Sequence, residues 1–219
     1  MVRTTLSVIL FTAVVASCGG GTDSGPGGGL LISSNQTGSW EVFIFYPQSS
    51  MVHQVTHEEP YVPEGQAFGA IVPGNDFEAV WSPDGTQIAL TSDRSSDSKL
   101  YIVDTAGAEI TEFAELSVGE PAWSPDGSQI AFRADFDGDV DLYLADVDGS
   151  NVRQLTRSPG EDWTPAWSPD GTLLAFASAR TTTAVGREIF FGDVESGEVS
   201  GSGKAGYPTD WFSEIEDSG

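Results

Sequence analysis

Cysteine, histidine, methionine and basic residues are all scarce in this sequence. The single cysteine of the 219 residues, Cys18, rules out a disulfide within the chain and any cysteine-rich metal cluster. The only histidines, His53 and His57, lie on a segment that reads as a strand running into a loop. On a strand that spacing sets them about 13 Å apart, too far to share a zinc ion. Nine Lys and Arg stand against 33 Asp and Glu, giving a formal net charge of −24. Such a surface repels phosphates and anionic head groups, which argues against nucleic acid and favours basic partners, divalent cations or plain solubility. No long stretch carries apolar residues at helical spacing, so the body of the chain is expected to be all-β. Enzyme signatures are missing too. There is no Gly-x-Ser-x-Gly elbow. The run 200–205, Ser-Gly-Ser-Gly-Lys-Ala, has Glu198 where a phosphate loop needs its first Gly and Ala205 where it needs a hydroxyl. It reads as a flexible loop between structural units, and no catalytic residue is expected.

What is present begins with a leader. Arg3 precedes an apolar run over 6–15, too short to span a bilayer, followed by the small residues Ala16 and Ser17. Val15-Ala16-Ser17-Cys18 resembles a lipobox, which implies lipidation of Cys18 and removal of 1–17. Acyl chains contribute about 0.8 kcal/mol per buried CH₂, so more than one gives stable anchoring. Residues 18–29, mostly glycine after the cysteine, form no core and read as a tether. Gly19 follows the cysteine, and resemblance to enteric lipoproteins then implies outer-membrane sorting. Residues 30–219 are left as the folded domain.

That domain repeats itself. Val80-Trp81-Ser82-Pro83-Asp84-Gly85-Thr86-Gln87-Ile88-Ala89-Leu90 returns around Trp123 and again around Trp167, 42 and 44 residues on. A further step of 44 reaches Trp211, in a degraded copy. In each copy a strand ends at Trp-Ser, Pro-Asp-Gly makes a tight turn, and the next strand alternates large residues with Ala. A polar loop, a third strand, an Asp-Gly type turn and a fourth strand complete the unit. A period of 40–45 residues with four strands is the pattern of propeller blades. The three Trp-Ser-Pro-Asp-Gly copies resemble the TolB-type β-propeller repeat, also found in non-catalytic domains of prolyl oligopeptidase relatives. The resemblance covers roughly 30–215 and implies a propeller of four-stranded blades.

Residues 30–35, 40–45 and 53–56 read as the second, third and fourth strands of an earlier unit whose first strand is missing, while Trp211 offers a first strand left over. Two arrangements follow: about four blades closed by the two termini, or a piece of a larger propeller.

The densest carboxylate run is Asp135-Phe136-Asp137-Gly138-Asp139-Val140-Asp141. Alternating acids of this kind wrap Ca²⁺ in EF-hands, but Val140 replaces the required Gly and Asp146 the closing Glu. In propellers, loops between strands two and three and between blades share one face. Here that face would carry Asp93, Asp97, Asp135, Asp137, Asp139, Glu161, Asp162, Trp163 and Asp210, an acidic ring suited to a basic peptide or protein segment. The expected function is a lipid-anchored, periplasm-facing scaffold or binding module, TolB itself belonging to an envelope complex. The alternatives are a non-catalytic propeller piece of a peptidase and a sugar- or cation-binding module.

Overall fold

The computed structural model describes residues 28–35, 39–56, 74–95, 97–113, 118–136, 138–180 and 187–208. The leader, Cys18, most of the tether, His57, Asp137, Asp210 and Trp211 lie outside the described residues, as does the side chain of Asp97. Among the described residues the regular elements are all strands. The first sheet has three, β1 (Leu30–Ser34), β2 (Glu41–Tyr46) and β3 (Met51–Gln54). The second has four: β4 (Asp76–Trp81), β5 (Gln87–Ser95), β6 (Asp97–Asp104) and β7 (Glu109–Phe113). The third is β8 (Val118–Trp123), β9 (Gln129–Asp135), β10 (Val140–Asp146) and β11 (Arg153–Gln154). The fourth is β12 (Asp162–Trp167), β13 (Leu173–Ser178), β14 (Glu188–Asp193) and β15 (Val199–Ala205). Each sheet is an antiparallel meander in chain order, as expected of propeller blades.

The Trp-Ser-Pro-Asp-Gly turn has the same chemistry three times. Asp126 Oδ1 accepts the hydroxyl of Ser124 at 2.7 Å and the N–H of Ser128 at 3.0 Å. Ser124 Oγ accepts the N–H of Gln129 at 2.9 Å, and Gly127 takes φ +72°. Only glycine holds that conformation without strain. Asp84 and Asp170 repeat the pattern. These N–H and O–H donors favour the carboxylate, so backbone N–H and serine hydroxyl bonds hold Asp84 and Asp126 below the usual carboxylate range.

Packing explains the alternation in the second strand of each sheet. Ile130 and Phe132 face back into the core shared with the second sheet, among Leu100, Ile102 and Phe113. Ala131, between them, faces forward into the core with the fourth sheet, where Trp167 sits. Ala89 stands in the same core as Trp123. Small residues on one face thus make room for the indole of the following sheet. The core is three inter-sheet layers rather than one mass.

One reading from the sequence is corrected here. Residues 200–205 are not a loop but most of β15, which pairs with β14 through Phe191↔Ser200 and Phe190↔Gly201. Glycine is used there for space, since a Cβ on Gly201 would lie 3.1 Å from the Phe190 ring.

Candidate functional site

Strand direction divides the sheets into two ends. The Pro-Asp-Gly turns lie at one end, with the hairpin turns at 104–108, 146–150 and 193–198. At the other are the starts of β4, β8 and β12, the β9–β10 loop and the connections between sheets. This loop end holds the described candidate residues.

The structure places them in different circumstances. Asp93 is half-buried and committed, its carboxylate accepting the backbone N–H of Asn75 at 2.5 Å and the Asn75 amide at 3.0 Å. Asp135 is exposed and accepts the N–H of Gly138 at 2.8 Å. Asp139 ties two loops together, accepting N–H groups from Val140 at 3.1 Å and Gly160 at 3.2 Å. Glu161 is exposed. Asp162, next to it, is fully buried and paired with Arg180 at 2.7 Å, so it is no part of an open acidic ring. Asp141 is likewise withdrawn from the proposed Ca²⁺ loop. It is buried in β10, accepts Gln154 at 2.8 Å and the Thr156 hydroxyl at 3.0 Å, and burial raises its pKa. Among the described residues no group of three or more potential metal ligands comes together. His53 is exposed on β3 near the turn end, its Nε2 3.2 Å from the Thr105 carbonyl.

Arginines that sequence reasoning passed over are built into this end. Arg180 lies over the rings of Phe190 and Phe176, at 4.5 and 5.2 Å from their centroids, while donating to Asp162. Arg187 stacks 3.9 Å above Trp163 and reaches Tyr207, whose ring is 5.3 Å away and whose hydroxyl contacts the guanidinium. Trp163 is half-buried and Tyr207 is 48% exposed, so a cation between two aromatic faces stands at the solvent boundary. No motif announced these contacts, because most of the partners are well separated along the chain.

Along the inner strands runs a ladder. Glu78, Glu120 and Thr164 have φ of +54°, +53° and +49°, each at a bulge in the pairing with the second strand. Glu78 Oε2 accepts the N–H of Glu120 at 2.8 Å, and Glu120 Oε2 accepts the N–H of Thr164 at 2.5 Å. Burial raises the Glu120 pKa, opposed by the Thr164 N–H and by Arg133, whose Nε is 3.4 Å away. A second ladder joins the tryptophans. Trp123 Nε1–H donates to Val80 O at 3.3 Å and Trp167 Nε1–H to Ala122 O at 3.0 Å. Each sheet is fastened to the one before it through its innermost strand, β4, β8 or β12.

Comparison with known proteins agrees with this architecture. Residues 109–207 match the family described as the TolB beta propeller domain. No curated protein matches the chain. Among solved structures, one assigned as TolB from Agrobacterium tumefaciens aligns with a TM-score of 0.65 at 23% identity, covering 81% of this chain and 62% of that one. TolB from Acinetobacter baumannii aligns at 0.59 and 23% identity, covering 77% and 38%. A prolyl endopeptidase aligns at 0.57 and 12% identity, covering 83% and 29%. The chain spans less than two thirds of the length of each of these three, and likeness at such identity speaks to fold alone.

Proposed function

We propose that this chain, whose repeats are TolB-type β-propeller blades, is a lipid-tethered module of the cell envelope that holds a protein or peptide segment at its loop end. The observation that carries the reading is the Trp163–Arg187–Tyr207 stack at the solvent boundary, at the same end of the sheets as the exposed Asp135 and Glu161. Aromatic and arginine side chains already held in place lose little entropy on binding, and they are the residue types on which interface energy concentrates. The net charge of −24 favours a basic segment, through faster encounter more than through tighter contact. Cys18 supplies the anchor in this reading, and the TolB match supports an envelope setting.

Photo-crosslinking in cells tests the loop end. A benzoylphenylalanine at Glu161 is expected to give a defined adduct with an envelope protein, and the same group at Asp148, on the turn end, none. Equal yields at the two positions, or no adduct at either, would overturn the assignment. Cys18→Ser is expected to move the protein from the membrane to the soluble fraction, and retention in the membrane would remove the lipid anchor from the proposal.

A further inference from the structure

In a chain with 33 acidic residues, Arg187 forms no ion pair with any carboxylate among the described residues. Arg180 has Asp162 at 2.7 Å and Arg133 has Glu120 at 3.4 Å. Arg187 has instead the Trp163 ring, the Tyr207 ring and the Tyr207 hydroxyl. A guanidinium carries five N–H donors in a planar fork. The hydroxyl takes a bond from Nη1, and the remaining donors have no acceptor among the described residues. The group is half-buried and already held, with Trp163 in β12 and Tyr207 just after β15.

Other donors nearby are also unspent. Arg133 lies against Gly119, where a Cβ would meet its Nη2 at 3.1 Å, and its buried Nε makes no hydrogen bond. Thr164, next to Trp163, has a buried Oγ1 without a partner. Glu120 links these groups, since its Oε2 accepts the Thr164 N–H and the charges of both Arg133 and Arg187 act on it. Its other oxygen faces Arg133, so it adds no acceptor for Arg187.

This corner of the loop end therefore has a surplus of donors, led by a planar fork at the solvent boundary. A carboxylate answers it, being planar, acceptor-only and able to take two parallel bonds from a guanidinium. Phosphate carries more negative charge and meets a chain of net charge −24 less readily. The same charge disfavours a segment rich in acidic side chains. A basic segment that ends here suits both features, its side chains matching the acidic surface and its last residue bringing the carboxylate.

We infer that Arg187, held by Trp163 and Tyr207, binds the C-terminal carboxylate of a basic peptide segment. This assignment rests on the proposed function and names the part of the partner that the loop end takes. Because the stack fixes the guanidinium before the ligand arrives, little side-chain freedom is lost on binding.

The Arg187 Nε–Hε resonance, followed by NMR in the full chain carrying Cys18→Ser, reads the contact directly. The peptide N-acetyl-Lys-Lys-Ala-Ala with a free C-terminus is expected to shift it, and the same peptide as its C-terminal amide to bind about tenfold more weakly. Arg187→Lys keeps the charge and loses the fork, and should narrow that gap to about threefold. An undiminished gap would overturn Arg187 as the residue responsible. Equal affinity of acid and amide in the parent chain would overturn the inference while leaving a bound segment. Binding of N-acetyl-Lys-Lys-Glu-Ala amide as tightly as the free acid would move the carboxylate to a side chain and overturn the C-terminal assignment. If the free acid leaves the resonance unmoved, the inference falls too, and crosslinking at Glu161 then decides whether the proposed function falls with it.

Discussion

At the scale of single residues, the same types do opposite work according to where the strands place them. Asp126 is nearly at the surface, and its effect is local: it ties Ser124 and Ser128 into a turn. Asp126→Ala should cost about 1 kcal/mol in chemical denaturation, a charged hydrogen bond discounted for exposure. Its pKa is lowered on folding, so this stability is complete above the ordinary value of 3.8 and is lost as pH falls through the depressed one. The difference between wild type and variant should therefore close in strong acid. Asp162 is the contrary case, buried and dependent on Arg180. Arg180→Gln leaves that carboxylate short of its cation and should cost about 3–5 kcal/mol, against under about 1 kcal/mol for a surface pair, measured by urea melts.

At the scale of elements, the inner strands and their bulges hold the sheets in register with each other. Trp167→Phe keeps most of the ring volume but leaves the buried Ala122 carbonyl without its donor, and should cost about 1–3 kcal/mol. The Glu120 rung carries a pH signature of opposite sign to that of Asp126. Its pKa is raised on folding, so the ionised group opposes the fold at neutral pH, and that opposition is relieved as pH falls from the raised value to the ordinary 4.5. Glu120→Gln keeps an acceptor for the Thr164 N–H and does not titrate. Wild type should gain on it in thermal melts over that pH interval, and a constant difference would show that the rung does not titrate there. The elements were legible in the sequence where chemistry repeats, as with the Trp-Ser-Pro-Asp-Gly turn and the large-Ala-large strand that follows. They were illegible where composition misleads. The Gly and Ser of 200–205 look like a loop, yet they form most of β15, where the Phe190 ring crowds position 201 and favours glycine there. The site was read as an acidic ring with one aromatic, Trp163, because acids dominate the count. Arg180 and Arg187 reach it from parts of the chain distant from their partners, Asp162 for the first and Trp163 and Tyr207 for the second, and spacing along a sequence carries no trace of such a meeting.

For the whole molecule, stability should be uneven in a way set by neighbours. The second and third sheets are each packed between two others, the first and fourth against one among the described strands. Backbone hydrogen exchange should show the slowest amides in β5, β8 and β9, with β3 and β15 opening earliest. Uniform protection across the sheets would mean that the chain opens only as one unit. Burial follows the same order, since the edge strands β3 and β15 are mostly exposed while the central β9 and β10 are mostly buried. The way sheets are fastened bears on how such a chain is assembled in time. Each later sheet grips the one before it with its own first strand. As the chain is synthesised from its N-terminus, that strand emerges ahead of the other three, onto a surface that is already formed. Growth then resembles masonry, each course laid on a set one, and the long-range pairing that slows β-rich proteins is divided into short local steps.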